Sequence, residues 1–574
     1  MGDQYCDYDI IIIGAGIAGL TAAVRSLELG LRVLVLEKGA EEIYPCNTRQ
    51  SGGVIHIGFL DPYRPQADLI DIINQRSSGE ANQELSNALT ETGWRFLDWL
   101  KNKGTNFISF NAQEGYKWCI APPRALRAGI DWEGRGPDVI LRDLAHKVEE
   151  MGGDFKRKTR ALSLLKKQGS CIGVEVDADG QNVKRSSTHV LIADGGFQSN
   201  RLLFEKYIGG NFDRVFQRGA RTGMGDGLKM AEEAGAQLVG LGKFYGHLLC
   251  ADAFNNDKVW PYPELDAIAT AGILIDADGR RVADEGKSGV YLTNALAKTK
   301  SEGPFFVVFD EAIWAEPGSS ARIPVNPLLE EAGGTVFRAQ TLHELERLIG
   351  CSSNKLCETI DAYNLAVANN NFNSLPVPRS TTIQPWKIIK PPFMAIPVCP
   401  GITYTMGGIA TDRYSRVLDE NNIPIPGLLA AGAATGGLEG GSRAAYIGGL
   451  MKSGVFGLIA AEQAAKQIKT SGIKNDIMPP EVSDTDSEKR IASHLFDRPH
   501  GLANFPILRG VIRYGIFGTI VCSAILFAVT VTSLWPNMGL LSLAIASLVS
   551  LVVGVIGMGF TELIRLIVQL LIPK

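Results

Sequence analysis

The sequence predicts an α/β protein: a parallel-sheet nucleotide domain, an inserted α+β cap, and a C-terminal hairpin of two membrane helices. Three observations lead there. An apolar run near the N-terminus closes on a glycine-rich turn, residues 248–380 have a different texture from their surroundings, and two long uncharged stretches lie near the C-terminus. At 574 residues the chain exceeds one ordinary hydrophobic core, so several domains are expected.

The first observation carries the most chemistry. Tyr8 to Ile13 reads as a buried strand and runs directly into Gly14-Ala15-Gly16-Ile17-Ala18-Gly19. Leu20 to Leu29 continues as a helix, and Leu31 to Leu36 as a second strand ending at Glu37. This βαβ unit is the context in which G-x-G-x-x-G binds a dinucleotide. Gly14 permits the tight turn, Gly16 lets backbone approach a pyrophosphate, and Gly19 allows helix and strand to pack closely. The helix N-terminus offers positive potential to the phosphates. Glu37 is placed to accept a ribose hydroxyl, and a nicotinamide or a flavin dinucleotide satisfies these residues equally. A further strand near Thr188–Ala193 leads into Asp194-Gly195-Gly196-Phe197.

The cap is expected over 248–380, mixing short strands with a helical stretch from Thr341 to Asn369. It divides the nucleotide domain into residues 1–247 and 381–470, the second part holding the strand Gly427–Gly432 and a long helix from about Ala445 to Lys466. Residues 471–509 read as a linker, polar at first, with Pro479-Pro480 and the acids Asp484, Asp486 and Glu488. In 510–574, Tyr514–Leu534 and Met538–Phe560 contain no charged residue and are separated by Trp535-Pro536-Asn537. A buried core hairpin is the alternative, but two runs of this length favour membrane spans. Arg498, Arg509 and Arg513 precede the first span, and Arg565 and Lys574 follow the second, which places the body on the cytoplasmic side of the membrane. The spans hold no histidine for haem and no ionisable group for transport, so an anchor is expected.

Composition excludes several classes. The net charge of -4 gives no basis for nucleic-acid binding. None of the nine cysteines forms a C-x-x-C pair, so no metal framework is legible, and reduced thiols are expected. The N-terminal segment has no apolar signal region.

Further motifs narrow the cofactor. Asn47-Thr48-Arg49-Gln50-Ser51-Gly52-Gly53, Thr222-Gly223-Met224-Gly225-Asp226-Gly227, Thr405-Met406-Gly407-Gly408-Ile409 and Ile425–Gly432 punctuate the chain. With these, residues 8–468 resemble the flavoprotein family of fumarate reductase, succinate dehydrogenase, 3-ketosteroid 1-dehydrogenase and tricarballylate dehydrogenase. Pro122–Arg127 and Asp284-Glu285-Gly286 resemble the tricarballylate branch, and the T-M-G-G and T-G-G segments the fumarate reductases. The resemblance implies a Rossmann-type FAD-binding domain with the flavin ring facing the cap. It implies a cofactor contact set of Gly14, Gly16, Ala18, Gly19, Glu37, Lys38, Asn47, Thr48, Ser51, Gly52 and Gly53. Ala161, Asp194, Gly195, Gly196, Asp226, Gly432 and Gly448 complete it. Covalently flavinylated relatives carry a histidine where this chain has Cys46 or Asn47, so non-covalent FAD is implied, with His56 structural. Relatives place a carboxylate where this chain has Ala433.

The resemblance also implies a reaction at a C–C or C=C bond beside a carboxylate or carbonyl, with hydride exchanged at flavin N5. Such chemistry calls for a cationic clamp, a proton-transfer group and exclusion of water. Arg443 matches the family arginine that grips a carboxylate, and His247 the active-site histidine at the entrance to the cap. Tyr404 stands where fumarate reductases have a second histidine, Glu285 matches a proton-path glutamate, and Arg124 resembles a further carboxylate ligand. Trp314 replaces the proton-donating arginine, and Lys287 or Ser288 another, so a substrate other than fumarate is expected. A lipophilic ketone is the alternative substrate, and an idle flavoprotein scaffold the alternative function. A quinone or another membrane-bound acceptor is the expected electron partner.

Overall fold

The computed structural model describes residues 6–110, 114–351 and 354–470. Its centre is a parallel sheet whose strand order places β4 (Gln181–Ile192) and β2 (Val33–Leu36) on either side of β1 (Tyr8–Ile13). Beyond β2 lies β3 (Asp154–Lys156). Beyond β4 lies β10 (Pro424–Ala430), edged by the antiparallel β9 (Arg416–Leu418). Ile10 sits between Val33 and His189, and Ile12 between Val35 and Leu191. Ile10, Ile11 and Ile12 are wholly buried, as expected of a parallel strand covered on both faces.

Helix α1 (Ile17–Glu28) and helix α2 (Gly449–Thr470) cover one face. Their approach is close enough that a Cβ on Gly457 would strike the Ala18 carbonyl. The expected start of α2 at Ala445 is four residues too early. Residues Gly440–Ala445 instead close a tight turn, in which Gly440 N–H donates to Ala445 O and the Ala445 amide donates back.

A second sheet and a second hydrophobic core form the inserted unit. Strand β5 (Phe244–Cys250) and strand β8 (Phe393–Thr405) pair antiparallel, with His247 opposite Gly401 and Tyr245 opposite Tyr404. The register slips between Tyr245 and Gly246. On the other side of β8 lie β7 (Phe306–Asp310) and then β6 (Ile273–Ile275). This core takes in Ile388 and Met394–Cys399, past the expected boundary at residue 380, because β8 is long enough to serve both units. The stretch Thr341–Asn369 is two helices, Leu342–Ile349 and Lys355–Asn369, with a capping box at Thr341 and Glu344 opening the first.

Among the described residues no helix is long and apolar enough to cross a membrane. The linker expected over 471–509 and the two membrane helices expected over 510–574 lie outside the described residues.

Candidate active site

A cavity of about 490 Å³ runs from the first glycine turn to the inner surface of the cap. At one end, Gly14 adopts φ +96°, and a Cβ there would press on the Ala193 carbonyl. Gly16 precedes α1 and has no side chain to cap it; the Ile17 amide donates to Thr48 Oγ1 at 3.2 Å, and the rest of the turn presents backbone to the cavity. Glu37 accepts N–H bonds from Ala15 at 3.1 Å and Gly39 at 2.7 Å, which fixes its carboxylate beside the turn.

Fourteen of the expected cofactor residues line the cavity: Gly14, Gly16, Ala18, Glu37, Lys38, Asn47, Thr48, Ser51, Gly52, Gly53, Ala161, Asp194, Gly195 and Asp226. Gly19, Gly196, Gly432 and Gly448 stand behind the wall instead. A side chain would collide with Gly14 O at Gly19, with Thr405 Oγ1 at Gly196 and with His56 O at Gly448, and at Gly432 it would crowd Ala18. Their glycines serve packing, and only indirectly the cavity.

The cavity fits a polar dinucleotide because its wall contains unsatisfied polar atoms. Asp194 accepts the Gly227 amide through Oδ2 at 2.7 Å, while Oδ1 has no partner among the described residues. Burial pushes this carboxyl up to about 6. Gln50 Oε1 and Gln198 Oε1, also buried, are in the same position. Buried acceptors without donors are uncommon in native proteins and mark places where a ligand belongs.

At the cap end, three of the five expected catalytic residues meet: Arg124, His247 and Tyr404. Arg124 is 4% exposed and donates from Nη2 to Gln50 O at 2.7 Å, leaving Nε and Nη1 without partners among the described residues. Its guanidinium lies 5.0 Å from the centre of the Tyr262 ring. Burial, reinforced by repulsion from Arg218 and Arg322, holds its pKa below the ordinary arginine value. His247 Nδ1 meets Asp266 Oδ2 at 2.6 Å and Glu264 Oε2 at 3.3 Å, and its Nε2 meets the Tyr245 hydroxyl at 2.9 Å. Tyr404 donates to Glu439 Oε2 at 2.9 Å. Glu439 also binds Lys452 at 3.1 Å and the amides of Ile447 and Gly448. Burial alone would raise the Glu439 carboxyl; the lysine and the two amides outweigh it and hold the pKa down.

Two expected catalytic residues are elsewhere. The turn at Gly440–Gly441 carries Arg443 outward, where Nη1 donates to Gln75 O at 3.2 Å, away from the cavity wall. Glu285 is fully buried in the cap, ion-paired with Arg281 and accepting the Leu274 amide at 3.1 Å. Both sit in segments whose local sequence matched a motif, but tertiary packing turned the side chains elsewhere. Trp314 is likewise cap core, stacked on Phe309 at 5.8 Å.

Two arginines outside the expected set line the cavity beside Arg124. Arg218 donates to Glu264 at 2.6 Å, Pro261 O at 3.1 Å and Thr403 Oγ1 at 3.0 Å. Arg322 lies over the Phe110 ring, with Nε and Nη2 buried and without partners among the described residues. Position next to Phe216-Gln217 and four residues before the Thr222 glycine motif was the available signal for Arg218. Arg322, eight residues beyond Trp314, had none. Tyr245, Tyr262 and Tyr446 complete the wall.

Comparison with known proteins agrees with this architecture. The chain is 26% identical over 541 residues to an NADH:acrylate oxidoreductase of Vibrio harveyi, covering 80% of this chain and 50% of the relative. It is 26% identical over 474 residues to an NADH:fumarate oxidoreductase of Klebsiella pneumoniae (strain 342), covering 80% of this chain and 48% of the relative. The chain thus spans about half the length of these two proteins. Among solved structures, the open conformation of a flavocytochrome c3 fumarate reductase aligns with TM-score 0.59 at 22% identity, over 80% of this chain and 78% of that one. The model of the FAD binding domain matches residues 9–447, well over half of the sequence, so this chain belongs to that family and its cofactor is FAD.

Proposed function

We propose that the protein is an FAD-dependent oxidoreductase that forms or removes a C=C bond next to a carboxylate. One observation carries the substrate class: Arg124 and Arg322 hold buried guanidinium donors that no described residue satisfies, in the cap-side wall of the flavin cavity. A guanidinium binds a carboxylate through two parallel hydrogen bonds, and leaving its donors buried and unpaired costs about 1–3 kcal/mol each. A bound carboxylate removes that cost. When bound, FAD supplies the two-electron exchange with the substrate. Around it, Arg124 and Arg322 orient the acid, and Tyr245, Tyr262 and Tyr446 enclose it and exclude water.

The cofactor is held without a covalent bond in this reading, since Cys46 and Asn47, not a histidine, precede the Ser51 loop. The uncharged stretches Tyr514–Leu534 and Met538–Phe560 support a membrane anchor with the catalytic body on the cytoplasmic side, within reach of a quinone or another membrane acceptor. A second reading, a lipophilic ketone as substrate, draws on the same tyrosine wall, because phenols can hydrogen-bond a carbonyl.

The test is an anaerobic screen of the FAD-loaded protein followed by flavin absorbance. Saturated mono-, di- and tricarboxylic acids are offered to the oxidised form and their 2-enoic counterparts to the reduced form, with 3-ketosteroids alongside. Absorbance changes with acids and none with ketosteroids are expected. A response to ketosteroids alone would replace the first reading by the second, and silence across the panel would defeat both.

A further inference from the structure

We propose that Tyr245 is the proton-transfer residue of this site and that His247 and Asp266 are positioning residues that relay its proton. This rests on the oxidoreductase reading given above. Tyr245, His247 and Asp266 all line the cavity. The register slip of β5 falls between Tyr245 and Gly246, and it brings the phenol hydroxyl 2.9 Å from His247 Nε2 with the two rings edge to face.

Each link of the chain is held from outside. Asp266 Oδ1 accepts the Leu248 amide at 3.0 Å, which aims Oδ2 at His247 Nδ1, 2.6 Å away. Glu264 Oε2 lies 3.3 Å from the same nitrogen, while its Oε1 is held by Arg218. A ring nitrogen facing two carboxylates keeps its hydrogen, so in the neutral imidazole Nε2 is the acceptor of the tyrosine hydroxyl. The Tyr245 ring is clamped by Tyr446, stacked at 4.1 Å, and by Tyr404 at 5.4 Å.

This arrangement decides which member meets the substrate. Both nitrogens of His247 are engaged, so the imidazole has no site left for a carbon acid. The Tyr245 oxygen has donated its hydrogen to Nε2 and retains lone pairs on the cavity side. Burial pushes the Tyr245 hydroxyl well above its ordinary range, so a free phenolate is avoided when the two proton movements occur together.

In the oxidative direction, the C–H bond next to the substrate carboxylate breaks toward Tyr245 Oη, forming a new O–H bond. The original phenol proton passes to His247 Nε2, leaving an imidazolium between Asp266 and Glu264. The electron pair of the broken C–H bond becomes the second bond of C=C; bound FAD would supply the two-electron acceptor for the one hydrogen and two electrons that leave the neighbouring carbon. Reduction is the same sequence reversed.

The experiment uses full-length, FAD-loaded protein with succinate, tricarballylate and 3-phenylpropionate, read by anaerobic flavin bleaching and by deuterium entry into the acid in D₂O. Tyr245→Phe is expected to keep its FAD and to bind the acids within about three-fold of wild type. Its bleaching slows by about 10²–10⁴-fold, the usual share of general acid–base catalysis, and its deuterium exchange is lost. His247→Gln, with Asp266→Asn beside it, is expected to bleach at least about ten-fold more slowly with KM little changed, and keeps the test decisive if Tyr245→Phe does not retain FAD. Bleaching of Tyr245→Phe or His247→Gln within about three-fold of wild type would overturn the relay and leave the oxidoreductase reading intact. Failure of all three acids to bleach the wild type would overturn the relay, and the wider acid and ketosteroid panel would then decide the oxidoreductase reading.

Discussion

Replacing Arg124 by methionine is expected to make the substrate-free enzyme no less stable while it destroys affinity for the acid. The two effects have opposite signs because Arg124 is buried with two of its donor nitrogens unsatisfied. Removing those two orphaned donors returns about 2–6 kcal/mol to the substrate-free protein. Against this stand the lost bond to Gln50 O and the lost stacking on Tyr262, together about 1–3 kcal/mol. The balance is a gain of about 2 kcal/mol, falling to no change where the lost contacts are at their strongest. In the complex the same two donors make charge-assisted bonds worth about 1.5–3 kcal/mol each, so the dissociation constant for the acid rises by about 10²–10⁴-fold. Urea denaturation of the FAD-loaded, substrate-free protein gives the first quantity, and titration of the flavin absorbance with acid gives the second. Arg124→Met that loses more than about 2 kcal/mol while binding acid within about three-fold of wild type would show Arg124 to be a structural strut, and the reasoning would be wrong.

Three further outcomes follow from the same geometry. Arg443→Ala is expected to change both stability and KM little, within about 0.5 kcal/mol and two-fold, because the side chain makes one partly exposed bond to Gln75 O; a loss of acid binding in titration would return it to the site. Glu285→Gln leaves Arg281 buried opposite a neutral amide, so denaturation should report a loss of about 3–5 kcal/mol, with KM unchanged in the folded enzyme. His56 is buried and accepts the Phe59 amide at 3.0 Å, and burial lowers its pKa to about 3. The native state therefore binds fewer protons than the unfolded chain between pH 6.5 and 3. His56 contributes stability that is complete above pH 6.5 and is lost progressively as pH falls through that window, and His56→Asn should flatten this part of a stability–pH curve.

The nucleotide half was legible because its signals are local. Tyr8–Ile13, the glycine turn and Glu37 are contiguous, and each glycine answers to a backbone requirement that no other residue meets. Even there, glycines that face the cavity and glycines that face protein look alike in sequence: Gly19, Gly196, Gly432 and Gly448 belong to the contact set the resemblance implies and stand behind the wall. The cap end was less legible because it gathers side chains from distant segments. Arg124, Arg218 and Arg322 come from three stretches about a hundred residues apart, and nothing in the spacing of one announces the others. Arg443 shows the reverse: the motif match fixes the backbone turn, and the turn carries the side chain to Gln75 O, off the cavity wall. Tyr245 lies two residues from His247, where a regular strand puts both side chains on one face, and the hydrogen bond between them becomes visible only with the slip in register.

Strand β8 has a mechanical consequence. Its first residues belong to the cap sheet, and its last reach the nucleotide half, where Thr405 Oγ1 accepts the Phe197 amide at 3.2 Å. Paired to β5 over Val398–Thr405, its second half makes a ribbon that leads from the cap sheet to the nucleotide half, and the least regular point of that pairing is beside Tyr245. Any rotation of the cap against the nucleotide half would twist this ribbon, because sliding would break its ladder. The bond from the Tyr245 hydroxyl to His247 Nε2 spans that irregular point, so a turn of the cap would load this bond before the regular ladder on either side.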